Sequence, residues 1–257
     1  MDLGRFETGL NVQDIGRSLA FYKTLGFQQV DGGVDIGCVG LRKGDCRLTL
    51  YQGHLDPPET QLIFWQGDVE AIGRALIDQG LTLERGPNKD DKGAALMIMD
   101  PDRHPIFIIN MPVNFVDEPQ YARKSPPYRP TRLKPDKRLG WFELSLVAQD
   151  IARSRAFYEK LGFRLAGTGD DGRSVTLQNN DCRIGLYQNV LDPAETQLTF
   201  WQGDVEAVAR DLGRKGLSFE RAPALHDDGG VGALLRDPDG HLIYFVNMPG
   251  GVRAEPA

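Results

Sequence analysis

The chain predicts an α+β fold arranged as two tandem domains, each made of two strand–helix–strand–strand–strand units. Three observations carry this. First, the sequence repeats: Phe6 to Pro112 returns as Phe142 to Pro249, offset by 136 until a one-residue insertion near Leu225 makes the offset 137. Second, each copy holds two stretches of helical spacing, opened by an aspartate and closed by a glycine. Third, short apolar segments of period two lie between them, separated by Gly and Pro turns. The repeat is its own control: a residue kept in both copies points to the shared architecture or shared site, and one present in a single copy points to something local.

Taken in order, Phe6–Val12 reads as a strand and Asp14 as a helix cap. Ile15, Leu19, Tyr22 and Leu25 recur at helical spacing, and Gly26 supplies the stop. Gly-rich turns and short strands follow, ending in the alternation CRLTLYQ (Cys46–Gln52). The second unit opens with a strand at Gln61–Gln66 and a cap at Asp68; Val69, Ile72 and Leu76 mark a helix face, and Gly80 a stop. A turn at Asp100–Arg103 and a strand at Ile106–Asn110 close the copy. The second copy has caps at Asp150 and Asp204, stops at Gly162 and Gly216, and a turn at Asp237–Gly240.

The repeat places the domains at 1–113 and 138–250, with a short tail at 251–257. Residues 114–137 are Pro-rich and locally basic, which reads as an extended strap setting the distance between the halves. At 257 residues each domain is large enough to bury a core. The net charge of −6 and pI near 5.3 argue against nucleic acid as a partner. Three cysteines (Cys38, Cys46, Cys182) form no CxxC pair and leave one over, which suits buried thiols in a reducing compartment. The start, MDLGRFETGL, shows no basic segment followed by an apolar one, and no run reaches membrane-spanning length. The expectation is a soluble cytoplasmic protein with no membrane partner.

The capped helix ending in FYKTLGF (Phe21–Phe27) or FYEKLGF (Phe157–Phe163), the strand running into GDV, and the closing DPDGH-type turn recur in order in both halves. In these features each half resembles a domain of the vicinal oxygen chelate superfamily, which includes glyoxalase I, extradiol dioxygenases and the bleomycin- and fosfomycin-resistance proteins. The resemblance implies paired βαβββ units whose strands form a curved, partly open barrel around a cavity, with helices outside. It also implies that the tandem halves pack as a pseudo-dimer, in a monomer or a homodimer. Isomerases, oxygenases, transferases and plain binding proteins all share this fold, so it implies an architecture more narrowly than a reaction.

Metal-dependent members carry ligands on the first and last strands of the units. The resemblance carries the first-strand position, seven residues before the capping aspartate, onto Glu7 and Glu143, and in the second units onto Gln61 and Gln197. The last-strand position, usually Glu, falls on Phe107 and Tyr244, and the remaining one on Thr49 and Gly185. Each half thus offers one carboxylate and one amide, without imidazole or a second carboxylate. Expected here is no cofactor; a divalent metal on Glu7, Gln61, Glu143 and Gln197 is the alternative.

Strand alternation gives these positions a second account. With Glu7 facing inward, Leu10 and Val12 face the helix, and the inner surface collects Arg47, Thr49, Tyr51, Gln61, Trp65 and Phe107. The second half supplies Glu143, Arg183, Tyr187, Gln197, Trp201 and Tyr244. An aromatic-lined cavity with a few polar groups suits a small organic molecule. Two bland readings stand beside this one: Glu7–Arg47 and Glu143–Arg183 are internal ion pairs, and Trp65 and Trp201 fill core. Glu7 and Glu143 are the best candidates for proton abstraction if the protein is an enzyme. His104 and His241 read as turn residues, His54 as a loop residue, and His226 as a residue of the loop over the cavity mouth.

The function expected is therefore binding of small, partly aromatic organic ligands without a catalytic metal. A metal-dependent lyase, isomerase or dioxygenase, and a non-catalytic drug-sequestering or regulatory binder, are the alternatives.

Overall fold

The computed structural model describes residues 1–55, 60–90, 93–110 and 134–249. Most of the 114–137 strap and the whole 251–257 tail therefore lie outside the described residues. The first half runs β1 (Arg5–Asn11), α1 (Ile15–Thr24), β2 (Gln28–Gly33), β3 (Cys38–Lys43), β4 (Cys46–Tyr51), β5 (Thr60–Trp65), α2 (Val69–Asp78), β6 (Arg85–Asp90), β7 (Gly93–Met99) and β8 (Pro105–Asn110). The second half repeats it: β9 (Gly140–Val147), α3 (Ile151–Lys160), β10 (Arg164–Thr168), β11 (Ser174–Asn179), β12 (Cys182–Tyr187), β13 (Gln197–Gln202), α4 (Val205–Arg214), β14 (Arg221–Leu225), β15 (Val231–Arg236) and β16 (Leu242–Asn247).

Each half is one eight-stranded sheet, ordered β2-β3-β4-β1-β5-β8-β7-β6 and β10-β11-β12-β9-β13-β16-β15-β14. The first strand of one unit pairs antiparallel with the first strand of the other, which welds two βαβββ units into an open sheet rather than a closed barrel. The aspartate caps act as their position demands. Asp14, Asp68, Asp150 and Asp204 accept from the backbone N–H three residues on, at 3.0, 3.0, 3.1 and 2.9 Å. Gly26 ends the first helix at φ +92°, a conformation a side chain would strain.

The strand faces separate as alternation requires. Leu10, Leu48, Leu50, Leu144, Ile184 and Leu186 join a core cluster that also takes in the helix residues Ile15, Tyr22 and Tyr158 and is continuous across both halves. Phe27 meets Phe200, and Phe64 meets Phe163, edge to face across the junction at 6.4 Å. All three cysteines are free; Cys46 and Cys182 are buried and Cys38 half-buried.

The Asp-Pro-Asp turns serve both their own hairpins and the opposite half. Asp100 and Asp237 do accept from their own turns. In addition Tyr22 of α1 donates its hydroxyl to Asp237 at 2.9 Å, and Tyr158 of α3 donates to Asp100 at 2.9 Å. Ser18 and Ser154 donate to Asp239 and Asp102, and Arg17 and Arg153 reach the carbonyls of Pro238 and Pro101. Each half thus inserts its first helix against the closing turn of the other, a reciprocal pseudo-dimer built within one chain. The rings of His104 and His241 in these turns reach the same carboxylates: Nδ1 lies 2.8 and 2.9 Å from Asp100 and Asp237. A carboxylate sunk in this junction needs every such partner.

Candidate functional site

The cavity-facing positions of β9, β12, β13 and β16 converge on Glu143, which is fully buried. Its Oε1 accepts from Tyr187 Oη at 2.6 Å and Trp201 Nε1 at 3.2 Å, and its Oε2 from Thr176 Oγ1 at 2.9 Å. Arg183 Nε stands 3.6 Å from Oε2. Gln197 shares this face and donates to the Pro193 carbonyl at 3.0 Å. Above the carboxylate, Tyr187, Trp201 and Val246 form a separate apolar cluster, with Trp141, Leu191, Tyr244 and Met248 packed against it. Burial pushes the Tyr244 hydroxyl up to about 12. His226, beside the one-residue insertion, lies 3.3 Å from that hydroxyl and stacks on its ring.

The first half arranges equivalent residues differently. Tyr51 Oη donates to Glu7 at 3.0 Å, and the nearby Trp65 and Thr49 side chains favour its charged form. Desolvation by burial raises the Glu7 pKa, with Arg5 working against it. This half has two cavities, of which the second is bordered by Glu7. One of about 230 Å³ is bounded by Gln61, Arg85, Met97, Met99 and Phe107, and one of about 210 Å³ by Arg5, Glu7, Asp31, Arg42, Arg47 and Thr49.

The hydroxyl that steadies the carboxylate comes from different strands in the two halves. Opposed residues on the third and fourth strands are Gly40 and Thr49 in the first half, and Thr176 and Gly185 in the second. A Cβ on Gly185 would lie 2.4 Å from Glu143 Oε1, so threonine moves to the facing strand and glycine takes its place.

The expected Glu7–Arg47 ion pair does not form. Arg47 crosses to Asp181 in the turn before β12, while Glu7 takes Arg5 at 3.7 Å. In the second half Trp141 occupies the place of Arg5, so Arg183 stays with Glu143, and that expected pair stands. Asp45, counterpart of Asp181, accepts from the Phe142 backbone at 3.1 and 3.2 Å but gains no guanidinium within ion-pair distance among the described residues. The sequence missed this pair of aspartates because their partners lie in the other half. Burial pushes Asp45 up to about 6, against the hydrogen bonds from Phe142 and its own backbone and the charge of Arg183.

A stability prediction follows for Asp45. Its folded pKa lies above the unfolded value, so the folded state holds the extra proton, and stability falls as pH rises from about 4 to about 6. Asp45→Asn keeps an acceptor for Phe142 and removes the buried charge. Urea unfolding across pH 4–8 should show the variant more stable by about 1–2 kcal/mol at pH 7, with a flatter profile below pH 6. Equal stability at pH 7 would refute the assignment.

Of the residues expected at the site, Glu7, Arg47, Gln61 and Phe107 border the two cavities of the first half, Tyr51 donates to Glu7, and Trp65 lies near it. In the second half Tyr187, Trp201 and Arg183 gather on Glu143, and Tyr244 packs above them. Among the described residues no group of three His, Cys, Asp or Glu side chains is placed to hold a metal.

Among the described residues no helix is long and apolar enough to cross a membrane. No curated protein matches the chain in sequence. Solved structures match its fold. Homoprotocatechuate 2,3-dioxygenase from Brevibacterium fuscum, in complex with 3,4-dihydroxyphenylacetate, aligns at TM-score 0.59 and 19% identity over 93% of this chain and 78% of its own. A catechol 2,3-dioxygenase aligns at 0.59 and 20% over 98% and 88%. The 2,3-dioxygenase LapB from Pseudomonas sp. KL28 aligns at 0.60 and 16% over 97% and 93%. The family model for the Glyoxalase/Bleomycin resistance protein/Dioxygenase superfamily matches residues 4–108 and 138–245, one match per half. With the duplicated βαβββ sheets and the shared core, this makes the chain a tandem member of the glyoxalase/bleomycin resistance protein/dioxygenase superfamily.

Proposed function

We propose that this protein binds small, partly aromatic organic molecules on the concave faces of its sheets, without a catalytic metal. The observation that carries the reading is the state of the two first-strand carboxylates. Glu143 is surrounded by hydroxyl, indole and guanidinium groups at 2.6 to 3.6 Å, so its lone pairs are already engaged. Glu7 accepts from Tyr51 and pairs with Arg5, with Trp65 and Thr49 beside it. With Phe107 and Tyr244 at the last-strand position, each half supplies one engaged carboxylate and one amide. That donor set does not fit a divalent ion, which needs several free oxygen or nitrogen ligands at short range. The same engagement argues against proton abstraction by Glu143, whose oxygens are already occupied by protein donors. The two cavities of the first half remain as places for a ligand; methionine, phenylalanine and arginine line the one at Phe107, which suits an aromatic ring bearing polar groups.

The rival reading, a metal-dependent lyase, isomerase or dioxygenase, draws support from the fold it shares with ring-cleaving enzymes. Elemental mass spectrometry separates the two. The protein would be purified without chelators, incubated with ferrous, manganous, nickel or zinc ions, and desalted. Retention below about a tenth of an equivalent is expected. Near-stoichiometric retention that Glu7→Gln or Glu143→Gln abolishes would overturn the proposal.

A further inference from the structure

The two halves share sheet order and core, so a charge found on only one concave face is not required by the architecture. The cavity of about 210 Å³ beside Glu7 has three such charges, Arg5, Asp31 and Arg42. The matching register positions in the second half hold Trp141, Gly167 and Gln178.

Their placement costs the fold something. Arg42 lies directly opposite Arg47 across β3 and β4, a like-charge pair that destabilises a sheet. Asp181 meets the charge of Arg47, but the one bond from Arg42 among the described residues is to the Gly44 carbonyl at 3.4 Å. In the second half the equivalent cross-strand pair is Gln178 opposite Arg183, so no like charges face each other there. Arg5 has a buried Nε with no hydrogen-bond partner among the described residues. Asp31 lies over Gly40, where a Cβ would come within 1.7 Å of its carboxylate, and its charge acts on Glu7. Among the described residues it makes no ion pair or hydrogen bond, although Arg42 borders the same cavity.

The cavity thus gathers the guanidinium groups of Arg5 and Arg42 and the carboxyl of Asp31, and apart from Arg5, 3.7 Å from Glu7, these charges are not paired among the described residues. We propose that this cavity binds a small zwitterion of the amino-acid type, its carboxylate against Arg5 and Arg42 and its ammonium against Asp31. The assignment rests on the small-molecule reading above and narrows it to one half and one charge pattern. At about 210 Å³ the space is below the roughly 300 Å³ at which drug-sized pockets begin, so the ligand is small.

Three probes with a common phenyl ring test this on the full-length protein by titration calorimetry: L-phenylalanine, 3-phenylpropionate and 2-phenylethylamine. L-Phenylalanine is expected to bind at least about tenfold more tightly than either single-charge analogue, as charge-assisted hydrogen bonds at both ends require. Arg42→Gln and Asp31→Gly, which install the second half's own residues, should each lower its affinity about tenfold. Arg42→Gln should spare 2-phenylethylamine, and Asp31→Gly should spare 3-phenylpropionate. Equal affinity for the three probes, or no loss in either variant, would show the charges to be merely solvated. That result overturns the zwitterion assignment and leaves the small-molecule reading standing. No binding by any probe overturns the zwitterion site, and with it the use of this cavity in the broader reading.

Discussion

Asp237→Ala should lower stability by about 3–5 kcal/mol, the cost of leaving buried polar groups without their charged partner. The carboxylate is wholly buried and serves both halves at once. It accepts from Tyr22 Oη of the opposite helix at 2.9 Å, lies 2.9 Å from His241 Nδ1, and accepts from two turn N–H groups. Truncation strands the Tyr22 hydroxyl in a site with no solvent access. Tyr22→Phe removes one bond and leaves the others, so about 1–2 kcal/mol is expected of it. Asp100→Ala should cost less than Asp237→Ala, because His104 has a side chain 16% exposed against 3% for His241 and can turn to water. Acid should act on the same group. Burial alone would raise the pKa of Asp237, but the bonds and charge of His241, the turn N–H and Tyr22 outweigh it and hold the pKa below its ordinary value. Its contribution is therefore present above the unfolded pKa near 4 and is lost as pH falls through the folded one. Urea unfolding at pH 7 and pH 3 checks both statements. A loss under 1 kcal/mol in Asp237→Ala at pH 7 would show that the closing turns do not hold the halves together.

The sequence showed the parts of this molecule that depend on local periodicity. Asp14, Asp68, Asp150 and Asp204 cap the four helices because a carboxylate one residue before an apolar 3.6-period run has little other use. The inward set on β9, β12 and β13 followed from period two, and Tyr187, Trp201 and Glu143 do meet. What lay hidden needs the other half. Whether Arg47 turns to Glu7 or to Asp181 depends on residues 40 and more positions apart, and on one exchange, Arg5 for Trp141, that no pattern within a strand reveals. Tyr22 likewise read as one more apolar position on a helix face, because its hydroxyl partner is 215 residues away. Repeat comparison carries a signal for such cases. Both tyrosines and both Asp-Pro-Asp turns are kept, and a hydroxyl kept in a fully buried helix face implies a partner.

The same comparison makes the second large prediction. Gly185→Thr alone should destabilise by about 3 kcal/mol or more, since overpacking commonly costs 1–3 and here the neighbours cannot yield. The new Cβ would sit 2.4 Å from Glu143 Oε1 and 2.4 Å from Tyr187 Cε2, two groups already bonded to each other. Thr176→Gly alone removes the hydroxyl that Glu143 accepts at 2.9 Å and adds a strand glycine, together about 2–3 kcal/mol. If the two positions are alternative sources of one hydroxyl, the double variant should lose less than the sum by at least about 1 kcal/mol. It would recreate the Gly40–Thr49 arrangement that already serves Glu7. Recovery should be partial, because Ser145, which bonds Thr199 at 2.7 Å, stands where the first half has Gly9. Strict additivity in a double-mutant cycle would mean that Glu143 is held by its own strand's neighbours alone. Coupling would mean that the fold keeps a donor on this carboxylate by whichever strand can carry it, as expected of a group that shapes a binding face rather than one that must be free to react.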